Sequence, residues 1–315
     1  MEREIAIVGF GHQGVPWALN LRDSGWKVHI LLRPNSQKVD QVTAQRFTPE
    51  TIERLGDFPI LAILILDDAM GIFYDDYGKF LNPGQSLIFA HGFTLHYRTA
   101  PWPKNNNWIL VSPQSIGSQV RESFIQGNGV PSILPVENDS TTTAWEIAKQ
   151  VALGIGSEKA GIYFSTVKEE VEANLFSEQV LFYGGLVPLM LQAYDVMVQN
   201  DIKPEVAYLE CVAPLAFITH LFKKRGLHDT LEEASPTARY GGFMTSPRLI
   251  SPPVRKKLEQ ILKDIQNGIF KDKLAVEARL GYPTIHSAMK TLQKHSFEKV
   301  GQEIRTKMNG RSSTK

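Results

Sequence analysis

The sequence predicts an α/β protein in which a doubly wound parallel sheet is followed by an all-helical carboxyl-terminal domain. Three observations carry the prediction. An apolar run, Ile5 to Val8, stands near the start and leads directly into glycines 9, 11 and 14. Short apolar runs then alternate with helical or turn-rich sequence through the first half, the pattern of a buried parallel sheet with crossover helices. From Val167 onward the strand signal stops, and helix-length segments separated by Gly and Pro take over.

Composition sets the outer bounds. The 315 residues are too many for one ordinary domain and suit two: 1–166 for the sheet and 167–309 for the helices, with the polar end GRSSTK, 310–315, expected as a disordered tail. A 43% hydrophobic share and a formal net charge of +1 describe a globular chain without a broad basic surface for nucleic acid. The longest unbroken apolar runs, such as Leu61 to Leu66, are too short to span a bilayer, and because Met1 leads straight into a strand no signal peptide is expected. The single cysteine, Cys211, excludes an internal disulfide and fits a reducing cytoplasm.

Ile5 to Val8 read as a buried strand, and VPWALNLRDSG as a helix ending at Gly25. Between them, Gly9, Gly11 and Gly14, with His12 and Gln13, make GxGxxG in the strand–turn–helix setting that a dinucleotide site needs. One glycine serves the tight turn, one the close approach of backbone to pyrophosphate, and one the packing of helix on strand. The second strand, Trp26 to Leu32, ends in LLRPNSQK. Arg33 and Ser36, with Lys38 nearby, suit a 2′-phosphate, and no carboxylate for ribose hydroxyls appears before Asp40, so NADP is favoured over NAD.

Further strands are read at Ile60–Leu66, Ser86–Ala90 and Trp108–Val111, and ligands gather at the carboxyl ends of such strands. Those ends carry Asp67 and Asp68, then His91 and Gly92, then Ser112 to Gly117. His91 is either a hydrogen-bonded structural residue or a site residue; its place at the ligand edge leaves both readings open. Pro101, Pro103 and Asn105 to Asn107 read as an exposed loop. A strand at Val130–Val136, a helix at Thr141–Leu153 and a last strand at Tyr163 and Phe164 complete the first domain.

The helical half reads as 167–198, 204–225, 227–235, 252–267 and 275–309. Within Val167–Gly185, Glu169, Glu170 and Glu172 occupy the first turns, and Asn174 and Glu178, four apart, share a face where the helix passes from polar to apolar. Glu210 lies in the apolar run AYLECVAPLAFITHLF, where a carboxylate must be paired, protonated or liganded. Pro214 is expected to kink that helix, Cys211 to be a small core residue, and Lys223, Lys224 and Arg225 to end the helix as solvated cations.

These motifs, in this order, resemble ketol-acid reductoisomerase of the short form. The likeness runs through GFGHQGVPWALNLRDSG, LLRPNS, FAHGF, VKEEVEANLFSEQ with the following GG, AYLEC, SPTARYG with the following SPR, and FEKVGQEIRTKM. The resemblance implies an amino-terminal NADPH domain, a helical domain interwoven with that of a partner in a homodimer, and a small-molecule substrate. It also implies two magnesium ions held by four carboxylates, at positions that here are Asn174, Glu178, Glu210 and Pro214. A lysine of the family is replaced by Gln114, while its histidine and serine match His91 and Ser235.

Two close magnesium ions need several anionic oxygens, and neither a neutral amide nor proline supplies one. A two-ion site is therefore not expected; Glu178 and Glu210 remain as weak single-ion candidates. The expectation is an NADPH-dependent reductase of a small keto or imino compound that lacks magnesium-dependent isomerisation. His91, Glu178, Glu210 and Ser235 would surround the substrate, with Glu178 or Glu210 as a general acid raised by burial. The alternatives are a working reductoisomerase with an altered metal site and an NADPH-binding pseudoenzyme.

Overall fold

Ile5, Ala6, Ile7 and Val8 are each at most 1% exposed, and they form the centre of strand β1 (Glu4–Val8) in a computed structural model that describes residues 3–312, with side chains to 308. By its contacts the chain divides into two units, Met1–Ala173 and Asn174–Lys315. The division falls inside a helix that begins at Val167, where the sequence places its domain boundary.

In the first unit, β1 is followed by α1 (Gly14–Asp23), β2 (Lys27–Leu32), α2 (Val39–Ala44), β3 (Pro49–Thr51), β4 (Ile60–Ile63), α3 (Met70–Tyr77), β5 (Ser86–Phe89) and α4 (Phe93–Tyr97). Then come β6 (Asn107–Leu110), β7 (Ser112–Pro113), α5 (Gly117–Ile125), β8 (Ser132–Leu134), β9 (Val136–Asn138), α6 (Ala144–Gly154), β10 (Ile162–Phe164) and the start of α7 (Val167–Ser177). The main sheet has the order β3-β2-β1-β4-β5-β6-β9, parallel throughout except for the antiparallel edge strand β9. A smaller sheet has the order β10-β8-β7.

Strand order reverses between β1 and β4, so their carboxyl ends flank the crevice where doubly wound sheets bind ligands. Trp17, Ala18 and Leu21 of α1, with Ala148, Val151 and Ala152 of α6, close over one face as part of a single apolar cluster. Each such large side chain contributes about 1.5–3 kcal/mol when fully buried. Short β3 was not read from the sequence. The Asn-rich stretch read as an exposed loop is also corrected: Asn106 and Asn107 are buried, and Asn107 opens β6. Its amide donates to Ser86 Oγ (2.9 Å) and Thr141 Oγ1 (2.7 Å) and accepts from the Thr141 N–H (3.1 Å). Polar composition suggested solvent; here it supplies a satisfied buried joint.

Helix α7 starts with a capping box. Thr166 Oγ1 accepts from the Glu169 N–H (3.1 Å), and the Glu169 carboxylate accepts from the Thr166 N–H (3.1 Å). Those bonds, with that from Ser165, hold the Glu169 carboxyl below its ordinary range. The helix then changes register. Glu178–Leu186 is a π-helical segment, and α8 (Val187–Gln199) continues from it. The paired glycines explain how this is possible: a Cβ at Gly184 would lie 1.9 Å from the Gln179 carbonyl oxygen, and one at Gly185 would lie 2.2 Å from that of Val180. Wider turns of this kind bring a residue against the carbonyl five positions back, and mark functional sites more often than ordinary helix does. Gly184→Ala is expected to restore α-helical register and destabilise the protein by about 2–3 kcal/mol. A melting midpoint equal to that of the parent chain would refute this.

The second unit continues with α9 (Pro204–Arg225), α10 (Leu227–Glu233), α11 (Pro236–Leu249), α12 (Pro252–Gln266), α13 (Ile269–Arg279), α14 (Pro283–Lys294) and α15 (Ser296–Ser312). Helix α11 was not read from the sequence because its Pro247 and its glycines 241 and 242 look like breakers. The segment read as one helix over 275–309 is three, interrupted at Tyr282 (φ 60°) and at extended His295. The tail expected to be disordered is helical through Ser312; 313–315 lie outside the described residues.

The motif FEKVGQEIR is explained by packing. Phe297 packs against Tyr208 with its ring tilted (4.8 Å between centroids), Gly301 leaves room for the Tyr208 ring, and Arg305 donates to the Tyr208 hydroxyl (2.9 Å). These residues, four apart on α15, make one face. Tyr194, Ala207, Tyr208 and Phe297 form a small core, while Leu181, Tyr183, Phe217, Tyr240 and Phe243 of the same unit stay exposed. One expectation is corrected here. Val167–Gln199 and Pro204–Arg225 are long and apolar enough to cross a membrane by length and composition, with mean hydropathy of 1.3 in each apolar window, of which 6% and 11% is buried. Unbroken apolar runs understate such helices, because isolated polar residues interrupt the run without lowering the average much.

Candidate active site

The glycine loop shows three separate roles. Gly9 sits at φ +91°, and a Cβ there would lie 2.8 Å from the Leu64 carbonyl oxygen, so the turn after β1 requires glycine. Gly11 has nothing within 4 Å, which leaves its surroundings open to a ligand. At Gly14 a Cβ would come within 2.2 Å of the Gly9 carbonyl oxygen, which fixes α1 against the loop. His12 is exposed on this loop, and Gln13 is half-buried at the helix N-cap, its Oε1 buried and without a hydrogen-bond partner among the described residues. No side chain caps the start of α1 and no acidic residue lies in its first turn, so its N–H groups and dipole suit a phosphate.

One residue that the motif does not include completes the cradle. Gly117, first in α5, lies so close to the loop that a Cβ would be 1.8 Å from the His12 carbonyl oxygen. Beside the loop opens a cleft of about 510 Å³ lined by Gly11, His12, Lys38, Gln41, Ser118 and Arg121 among others. Of the residues proposed for the 2′-phosphate, Arg33 is exposed and is not among the cleft's walls. Ser36 accepts from the Lys38 N–H (3.2 Å) within a turn through Asn35 at φ 59°. Lys38, two residues beyond LLRPNS, is the loop cation that lines the cleft. Arg121 is engaged by Asp23 (2.6 Å) and Asn20 (2.9 Å). Burial pushes the Asp23 carboxyl up, but Arg121 and Arg22 outweigh it and hold it below the ordinary range.

At the carboxyl edge of β4 and β5, the two loops meet. His91 Nδ1 lies 2.7 Å from Asp67 Oδ2, and the His91 ring stacks 6.2 Å from that of Phe93. His91 is thus hydrogen-bonded and also at the ligand edge, which joins the two readings left open by the sequence. Beyond the end of β6, Ser112 donates to buried Glu170 (2.6 Å), and Gln114 donates to Ser112 Oγ (3.2 Å). Glu170 belongs to α7, so the position that bears the family's lysine here carries a neutral amide tied into a buried carboxylate network. His96 lies 3.7 Å from Glu172, and burial depresses its imidazole despite that carboxylate.

In the second unit, Asn174 and Glu178 are half-buried, with Glu178 first in the π-helical segment. Glu210 is exposed on α9, which corrects the inference that its apolar neighbours bury it. The helix is apolar nearly all round, and within one chain little covers it. Pro214 lies within α9, which continues through it; the missing N–H leaves the Glu210 carbonyl without its helical donor. Ser235 caps α11, its Oγ accepting from the Ala238 N–H at 3.2 Å, a local role that the resemblance does not anticipate. Cys211 is half-buried, and burial raises its thiol. Among the described residues, the three-ligand group compatible with a metal is His228, Asp229 and Glu232, all exposed on α10; Glu178 and Glu210 are not in it.

A sheet ordered 3-2-1-4-5-6, a glycine cradle with an adjoining cationic cleft, and a histidine–aspartate pair beyond the strand ends define a nicotinamide-dinucleotide-dependent oxidoreductase. Residues 1–161 match the NADPH-binding domain of acetohydroxy acid isomeroreductase, and residues 167–310 match the carboxyl-terminal domain of ketol-acid reductoisomerase. The chain belongs to the ketol-acid reductoisomerase family. It is 36% identical over 306 residues to ketol-acid reductoisomerase (NADP(+)) of Methanocaldococcus jannaschii, covering 96% of this chain and 93% of that one. Identity is also 36% over 310 residues with the enzyme of the same name from Chloroherpeton thalassium, covering 98% and 92%. A solved NADH-preferring ketol-acid reductoisomerase from an uncultured archean superposes with a TM-score of 0.92 at 30% identity, covering 96% of this chain and 94% of that one. The family likeness read from the motifs is borne out, as is the NADPH-binding fold.

Proposed function

We propose that this chain is an NADPH-dependent reductase of a small keto or imino compound that works on the ketol-acid reductoisomerase scaffold without the family's magnesium-dependent isomerisation. The carrying observation is the pair Asn174 and Pro214 at two of the four positions where the family likeness places metal carboxylates. A neutral amide bridges cations poorly and proline offers no ligand, so the donor set does not fit two divalent ions.

NADPH fits the residues present and, when bound, supplies the hydride. Gly9, Gly11 and Gly14 give its pyrophosphate room at the start of α1, and Lys38 presents a cation to its phosphates across a cleft that His12 also lines. His91, at the carboxyl edge of the sheet, gives the proton that the reduced oxygen or nitrogen takes up. Glu178, Glu210 and Ser235 are the further polar residues assigned to the substrate. Exposed Leu181, Tyr183, Phe217, Tyr240 and Phe243 support a homodimer in which helices of a second copy cover this apolar surface.

A second reading, a working ketol-acid reductoisomerase with an altered metal site, is favoured by end-to-end identity of 36% to enzymes that carry that name. Cofactor oxidation separates the two. The reductase should oxidise NADPH with simple 2-keto acids, with or without magnesium, and leave acetolactate unchanged. Turnover of acetolactate with magnesium at an ordinary enzymatic rate, on the order of 1–10³ s⁻¹, would overturn the first reading and establish the second. NADPH binding with no oxidation across keto acids, cyclic imines and acetolactate with magnesium would contradict both.

A further inference from the structure

His91 and Asp67 come from different loops, and nothing in the spacing of HG and DD links them. Parallel pairing of β4 with β5, in the register Ile63 to Phe89, brings the two loops side by side, on the opposite side of the β1/β4 switch point from Lys38. Both residues are held firmly. Asp67 opens a single 3-10 turn, Asp67–Ala69, that leads into α3, whose Met70 and Phe73 are buried; His91 is followed by buried Phe93, Thr94 and Leu95. Their side chains remain about a third exposed, 29% for Asp67 and 32% for His91, so the pair is reachable at the carboxyl edge of the sheet and is not sealed in the core.

We propose that Asp67 is the positioning residue for His91. A carboxylate offers lone pairs and no proton, so at 2.7 Å the hydrogen must reside on His91 Nδ1. This bond sets the tautomer and the plane of the ring, and directs Nε2 as the nitrogen that exchanges a proton with substrate. In the reduction, a bound cofactor would supply hydride to the substrate's carbonyl or imine carbon. The proton on Nε2 of the imidazolium goes to the oxygen or nitrogen, which leaves a neutral ring with its hydrogen still on Nδ1. Asp67 favours the charged ring before transfer and holds the ring's direction afterwards. The inference rests on the reading of His91 as the proton donor.

The test uses the full-length protein with NADPH and Asp67→Asn, which keeps size and shape. An asparagine amide is able to donate to Nδ1 and so to move the neutral ring's hydrogen to Nε2. Side-chain ¹⁵N spectra of the imidazoles, with His91 assigned by its loss in His91→Gln, should show hydrogen on Nδ1 in the parent chain and on Nε2 in Asp67→Asn. The variant's kcat should fall by about 10²- to 10⁴-fold, with NADPH affinity and KM changed by less than about threefold. Asp67→Glu, which restores an acceptor, should recover part of the rate and the Nδ1 hydrogen. An unchanged tautomer or an unchanged kcat in Asp67→Asn would overturn the proposal. If His91→Gln keeps full kcat, the reading of His91 fails and takes this proposal with it; if His91→Gln is inactive while Asp67→Asn is not, the positioning role alone fails.

Discussion

Asn174→Asp combined with Pro214→Glu and Gln114→Lys is expected to raise magnesium-dependent turnover of acetolactate by about 10³-fold or more, because each change returns a charge that two-ion catalysis uses. Asp at 174 supplies an anionic oxygen four residues before Glu178. Glu at 214 does the same four residues after Glu210, and it also returns a backbone N–H to the Glu210 carbonyl. The latter change should leave the fold at least as stable as before. Lys at 114 enters the network of Ser112 and buried Glu170, where a cation has a carboxylate to meet. Asn174→Asp alone should gain little, since the second helix still lacks a ligand. The measurements are turnover of acetolactate against magnesium concentration, a melting curve, and NADPH affinity, which should not move. A parent chain already as fast on acetolactate as the triple variant would defeat the reading of the metal positions.

Gly117→Ala is the second large effect. The added methyl would lie 1.8 Å from the carbonyl oxygen of His12 and 2.7 Å from its carbon, and neither backbone atom is able to swing aside. Either α5 or the glycine loop must move. A cost of about 3 kcal/mol or more is expected, seen as a lowered melting midpoint, together with a loss of NADPH affinity of at least about tenfold in the protein that remains folded. Gly11→Ala provides the contrast. Nothing lies within 4 Å of its Cβ position, so stability should be unchanged while the methyl occupies space the pyrophosphate needs. Equal stability losses in both variants would show that the two glycines do not play separate roles.

The first unit was largely legible because its elements are dictated locally. Four consecutive buried apolar residues ahead of GxGxxG specify strand, turn and helix through sterics that act within about 15 residues. The placement of the cofactor side chains is less legible. Chemistry points to Arg33 and Ser36, with Lys38 nearby, but which of them lines the cleft depends on the turn at Asn35, and Gly117 arrives from a distant strand end. Similarly, Glu210 looked buried because sequence counts apolar neighbours without knowing which surface covers them.

By itself, then, the sequence determined the class of fold, the family, the dinucleotide loop and the neutral residues at 174 and 214, because each depends on residue identity at fixed local spacing. Only tertiary structure decided that His91 faces Asp67, that Gln114 reaches buried Glu170 through Ser112, and that paired glycines open a π-helical segment after Glu178. The physical reason is common to these. Hydrogen bonds and close approaches between loops depend on strand register and helix phase, which are set by the packing of whole elements and have no local signature.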